Sequence, residues 1–141
     1  ASPAYDFPAA GLGALGSAGG AYMGQSVAVP VVILCHKTGI IKEDPFSPFS
    51  TTLYTAMDVG SFMGAVTGGV LVKHIWTKDW DLAHLGIDAA AVSACVLVTR
   101  LAFRLLDPDG TVSSFVPNII IAPCISGIYL GWEWSSAGQE G

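Results

Sequence analysis

The sequence has 141 residues, of which 52% are apolar by type and only 12% carry charge. A soluble domain carries about 25% charged residues, so a single small domain this apolar needs lipid or partner subunits to cover its surface. The net charge of -5 argues against nucleic acid as a partner, because nucleic acid selects basic stripes.

Ala1-Ser2-Pro3 opens the chain in place of Met, with no basic-then-apolar signal pattern behind it. Two expectations follow: a targeting segment already removed, or an internally targeted chain that lost only its initiator Met.

Four apolar segments come next in order. The first covers about 11–35 and has no charge. The second covers about 50–76 and is broken by Asp58. The third covers about 82–106, with Asp88 near its start and Arg100 and Arg104 near its end. The fourth covers about 116–134. A helix needs about 20 residues to cross roughly 30 Å of hydrocarbon. No alternating pattern suits a barrel, and only helices or closed barrels satisfy their backbone in lipid. The expected fold is therefore an all-α membrane protein, one domain over 1–141, with about four transmembrane helices.

The connections 36–49, 77–81 and 107–114 hold Pro, Gly and most of the charge, with Asp107-Pro108-Asp109-Gly110 as a turn. Trp76 and Trp80 bracket the second connection, and Trp132 and Trp134 close the fourth segment, as interfacial rings do. Four crossings put both termini and the 77–81 loop on one side. Lys37, Lys42, Arg100 and Arg104 lie toward the other side, and Lys73 and Lys78 toward the first. That bias places the termini outside, in an intermembrane space, lumen or periplasm.

Glycine patterning is the most specific signal. Gly16, Gly20 and Gly24 recur every fourth residue in the first segment, as do Gly60, Gly64 and Gly68 in the second. Each triplet holds one helix face, and a face without side chains admits close backbone approach. Gly20-Ala21-Tyr22-Met23-Gly24 and Gly60-Ser61-Phe62-Met63-Gly64 also share a Gly-small-aromatic-Met-Gly pattern. These faces are expected to pack helices.

Intramembrane charge is costly and usually paired. Asp58 and Arg100 fall at similar depth on antiparallel segments, so an interhelical ion pair is expected between them. Lys73 and His74 beside Asp79 and Asp81 read as a mixed-charge rim. A proton path wants several acids at midplane, and Asp58 near one edge does not provide one. His36, His74 and His84 fall at segment ends, where an imidazole can ligate a chlorophyll magnesium or a haem iron. Cys35, Cys95 and Cys124 are scattered through apolar segments and form neither a metal pattern nor a disulfide framework. No zinc-protease helix, catalytic triad, phosphate loop or dinucleotide fingerprint is present. The expected role is structural and not enzymatic, with no metal and no small-molecule substrate.

Tyr54-Thr55-Ala56, Val59-Gly60, Gly64, Leu85-Gly86 and the opening Tyr5-Asp6-Phe7-Pro8 carry a likeness. On these residues the chain resembles the family of mitochondrial inner-membrane protein-import channel subunits, and within it the four-helix accessory subunits of respiratory complex I. The resemblance implies an inner-membrane subunit with termini in the intermembrane space. It would bind no redox cofactor and would stabilise the membrane arm of NADH:ubiquinone oxidoreductase and contacts within supercomplexes. Its partners would be other subunits of the complex and lipid. Cardiolipin would fill crevices at Lys37, Lys42, Arg100 and Arg104. A translocase subunit is a further alternative.

A rival likeness rests on Asp58-Val59-Gly60, Gly64, Gly69, Val72-Lys73, Lys78-Asp79, Asp81, Ala83 and Leu85-Gly86. These are similar to the L-subunit family of photosystem I. That resemblance implies a thylakoid location with chlorophyll and carotenoid. Asp58 would be the carried-over chlorophyll ligand, and His36, His74 and His84 further candidates.

Overall fold

A computed structural model describes residues 5–47, 51–109, 111–113 and 116–140, with side chains described only as far as 133. Gly110 and the side chain of Trp134 thus lie outside the described residues. Four α-helices form: α1 (Phe7–Lys37), α2 (Thr51–Thr77), α3 (Leu82–Leu106) and α4 (Ala122–Glu140), the last entered through a π-helical turn at Val116–Ile121. No strand occurs among the described residues.

Local chemistry sets the helix ends. The Asp6 carboxylate accepts from the Ala9 amide at 3.1 Å and Pro8 sits in the first turn, so α1 starts at Phe7, ahead of the expected 11. The Thr38 hydroxyl donates to the Leu34 carbonyl at 3.1 Å, and Gly39 turns the chain out with φ 83°. The Glu43 carboxylate reaches forward to α2, accepting from the Thr51 amide (2.7 Å) and the Thr52 hydroxyl (2.8 Å). Asp81 caps α3 through the Ala83 amide at 2.9 Å.

Pro123 has no N–H for the carbonyl four residues back, and its ring would crowd that carbonyl. The wider π turn just ahead of it accommodates the ring. The helical stretch from Val116 also runs past the expected end at 134, to Glu140.

α1 packs against α2 and α4, and α3 packs against the same two helices; α1 and α3 do not touch among the described residues. Much of the interior is small or polar: Ala9, Ser17, Ala21, Ser61, Ala65, Asp88, Ala122 and Ser126 are buried, beside a few larger residues such as Val92, Val96 and Leu130. Large apolar side chains point outward instead, among them Leu15, Met23, Leu34, Leu97, Leu105 and Ile128. A chain folded by water would reverse that arrangement. In lipid, apolar side chains lose nothing by facing out, and small ones inside allow close helix contact. α1, α2 and α3 are each long and apolar enough to cross a membrane. The fourth expected span does not meet that measure: α4 runs 19 residues and ends in a polar stretch. The protein is an all-α membrane protein with three such helices and a shorter fourth.

Candidate functional site

Two features organise the bundle: a glycine seam between α1 and α2, and a charge cluster at the end where the 78–81 turn lies.

In the seam, Gly16 faces Gly68, Gly20 faces Gly64 and Gly24 faces Gly60, in antiparallel order. A Cβ built on any of the six would fall within 3.0 Å of the opposite glycine's carbonyl oxygen, closer than real Cβ atoms come. The contacts are reciprocal: each glycine presents its carbonyl to its partner's bare Cα. Such Cα–H···O contacts contribute about 0.5–1 kcal/mol each, and close backbones add dispersion. The repeated Gly-small-aromatic-Met-Gly segments therefore meet across a local two-fold axis. Ala21 and Ser61 are buried in equivalent places, while Met23 and Met63 face outward.

α1 serves α4 from a second face. A Cβ on Gly13 would meet Leu130, and one on Gly127 would meet the Ala10 carbonyl. The Tyr5 hydroxyl donates to the Ile128 carbonyl at 2.6 Å, which ties the chain ahead of α1 to α4. Partial burial raises that phenol above its ordinary range.

The charge cluster was not legible as a site. The sequence placed Lys73 and His74 in a mixed-charge rim; the structure buries both. The Lys73 ammonium donates to Asp88 Oδ2 at 2.9 Å and also to Glu133 Oε2. His74 Nε2 lies 2.7 Å from the same Asp88 Oδ2, and His74 Nδ1 meets the Asp79 carbonyl. Asp88 is wholly buried. One lysine thus ties α2 to α3 and α4, and His74 ties α2 to α3 and to the 78–81 turn. Lys78, held at φ 59°, folds that turn back tightly enough to bring the end of α2 beside the start of α3. Asp88 and Glu133 are drawn inward because Lys73 and His74 meet them there.

The partners of the His74 ring constrain where its hydrogens lie. A carbonyl only accepts, so Nδ1 of His74 carries a hydrogen toward Asp79. Nε2 faces a carboxylate, so a second proton lies between Nε2 and Oδ2. Asp88 Oδ2 already accepts from the Lys73 ammonium, which favours leaving that proton on the imidazole. Asp88 Oδ1 has no protein partner.

The remaining sequence candidates divide. Arg100 does reach Asp58, but Nη2 donates to its main-chain carbonyl at 3.0 Å. No ion pair joins the two side chains, and the Asp58 carboxylate is exposed; in place of the expected pair the guanidinium bonds the α2 backbone. The Arg100 guanidinium also lies 5.7 Å from the Phe62 ring centre. His36 Nδ1 is 3.0 Å from the Ile41 carbonyl, and His84 Nδ1 is 2.6 Å from Asp79 Oδ2. The Asp81 amide and then His84 hold the Asp79 carboxyl below its ordinary range. Both ring nitrogens of His74 are engaged, leaving none for a magnesium or an iron. Lys37, Lys42 and Arg104 are exposed. The cysteines are free thiols.

Two open spaces flank the helices at the end opposite the cluster. A groove of 840 Å³ runs between α1 and α2 past the seam, lined by Val27, Val31, Thr55, Val59 and Met63 among others. A pocket of 420 Å³ between α2, α3 and the π turn contains Arg100 and Arg104. Neither is lined by Lys73, His74, Asp88 or Glu133.

No family model matches the chain, and no curated protein and no solved structure matches it either.

Proposed function

We propose that the chain is a non-catalytic scaffold subunit of a large membrane assembly, and that the assembly is the membrane arm of a respiratory-chain NADH:ubiquinone oxidoreductase. The observation that carries the scaffold role is the inverted distribution of side chains. The protein spends its small and charged residues on its own helix contacts and turns a broad apolar surface outward. A subunit built this way offers shape to lipid and neighbouring helices. Its buried charges are consumed in the Lys73–Asp88–His74–Glu133 cluster, which opens into neither cavity.

The respiratory assignment rests on the residue likeness at Tyr54–Ala56, Val59-Gly60, Gly64 and Leu85-Gly86. The mitochondrial inner membrane and termini in the intermembrane space belong to the same proposal, supported by the basic residues gathered at the opposite end. Blue-native electrophoresis with mass spectrometry of each band tests it. The chain is expected in the band that carries NADH dehydrogenase activity, and Gly64→Leu should deplete that band. Migration with a chlorophyll-bearing complex or with a protein-import channel would overturn the assignment and select the corresponding alternative.

A further inference from the structure

We infer that the pocket between α2, α3 and the π turn binds the phosphodiester headgroup of an anionic phospholipid, with Arg100 and Arg104 as its cationic groups. The pocket lies beside the last turns of α3, which ends at Leu106, and beside the start of the π turn at Val116. That is headgroup depth for a helix that crosses the membrane.

Arg100 is half-buried and only partly used by the protein. Its Nη2 donates to the Asp58 carbonyl, while its Nε is buried with no partner. Arg100 lines the pocket, so the part of its guanidinium that is not buried is available to an acceptor that enters it. Arg104, one helical turn further along α3, lines the same pocket and is exposed. The Asp58 carboxylate is the counter-charge at this site. Two arginines against one carboxylate leave one net positive charge, which matches the single negative charge of a phosphodiester. Guanidinium groups recognise phosphate oxygens through paired N–H donors.

What selects a lipid over free phosphate is the adjoining space. A second cavity of 340 Å³ shares Asp58, Leu97 and Arg100 with the pocket and continues along α2 past Val59 and Phe62. An acyl chain can lie against that apolar wall while the headgroup meets the arginines; an inorganic ion gains nothing from it. Lys37 and Lys42 do not line the pocket, so the site is narrower than the whole basic surface.

The test uses the full chain in phosphatidylcholine nanodiscs, with thermal unfolding followed as phosphatidylglycerol is titrated in. Phosphatidylglycerol should raise the unfolding temperature, and inorganic phosphate at equal concentration should not. Arg104→Gln should weaken the phosphatidylglycerol effect about tenfold, the loss of one charged contact. Asp58→Asn should strengthen it, because a repelling charge is removed. Lys37→Gln with Lys42→Gln should leave it unchanged. Arg100→Gln should abolish it; should that variant fail to fold, Arg104→Gln and Asp58→Asn still decide. An equal response from Arg104→Gln and wild type, an equal response to inorganic phosphate, or loss of the response in the double lysine variant would each overturn the site.

Discussion

Gly20 and Gly64 lie so close across the α1–α2 seam that each one's carbonyl oxygen occupies the space where the other's Cβ would stand. Neither helix can move aside alone, because the same relation holds for Gly24 with Gly60 and for Gly16 with Gly68. Substitution therefore meets backbone, which cannot rotate away as a side chain can. Gly20→Ala or Gly64→Ala is expected to destabilise the protein by about 2 kcal/mol or more, the range for overpacking a tight contact. Gly19→Ala and Gly86→Ala add a methyl to open space and should be neutral or slightly stabilising. Thermal unfolding in detergent micelles distinguishes the two groups. Equal losses in all four variants would mean that helix contact is not what these glycines supply.

The seam was readable because a spacing of four puts residues on one face of any α-helix, whatever the tertiary fold. Consecutive spans imply its antiparallel pairing, while the reciprocal contacts appear only once the helices are packed. The cluster was not readable for the opposite reason. Lys73, Asp88 and Glu133 come from three different helices, and no sequence period connects them. The one signal in the sequence is Asp88, which stands in an otherwise uncharged run from Leu85 to Thr99 on a membrane-length helix, where an acid demands a partner. Arg100 and Asp58 do meet between α2 and α3. Depth alone could not say whether the guanidinium would meet a carboxylate or a carbonyl.

Lys73 neutralises two carboxylates at once, so its loss should cost more than loss of either acid. Lys73→Met leaves Glu133 without its cation and Asp88 with His74 alone. A stability loss of about 3 kcal/mol or more is expected, as for breaking a buried ion pair from one side. Adding Glu133→Gln to Lys73→Met should recover part of that loss by removing the stranded charge. Chemical denaturation of the single and double variants measures the coupling. A double variant no better than Lys73→Met would show that Glu133 is already solvated and outside the network.

His74 meets an acceptor at each ring nitrogen, the Asp79 carbonyl on one side and Asp88 Oδ2 on the other. Nδ1 is therefore expected to carry hydrogen in the folded protein, and one proton to lie between Nε2 and Asp88 Oδ2. Solid-state NMR of ¹⁵N-histidine-labelled protein in bilayers reads this directly. The His74 Nδ1 signal should fall in the protonated range and should couple to its acceptor across the hydrogen bond. A bare imine nitrogen at Nδ1 would overturn that placement, and one at Nε2 would put the shared proton on Asp88 and leave the imidazole neutral.

Asp107 closes the turn after α3, accepting from the Thr111 amide (3.0 Å), the Thr111 hydroxyl (2.6 Å) and the Val112 amide (2.7 Å). The Thr111 hydroxyl first, and then the two amides, hold its carboxyl below the usual aspartate range. A group whose folded value is depressed stabilises the fold above its unfolded value, about pH 4, and loses that contribution as pH falls through the folded value. The 107–112 turn is expected to be closed at neutral pH and to open in acid. Asp107→Asn imitates the protonated state, so proteinase K at neutral pH should cut that variant in this loop faster than wild type. Identical cleavage rates would show that the carboxylate does not hold the turn.

Arg100 donates to the main-chain carbonyl of Asp58 and makes no direct ion pair with its carboxylate, which separates the two residues' contributions in a measurable way. Asp58→Asn keeps the main-chain carbonyl and should change stability by less than about 0.5 kcal/mol, as exposed substitutions do. Arg100→Gln loses a charge-assisted hydrogen bond and the contact over Phe62, and should cost about 1.5–3 kcal/mol. The double variant should match Arg100→Gln alone, since no side-chain pair exists to be coupled. A large loss in Asp58→Asn, together with strong non-additivity in the double variant, would restore the ion pair that the sequence suggested. These measurements belong in phosphatidylcholine without anionic lipid, where nothing but protein competes for the guanidinium.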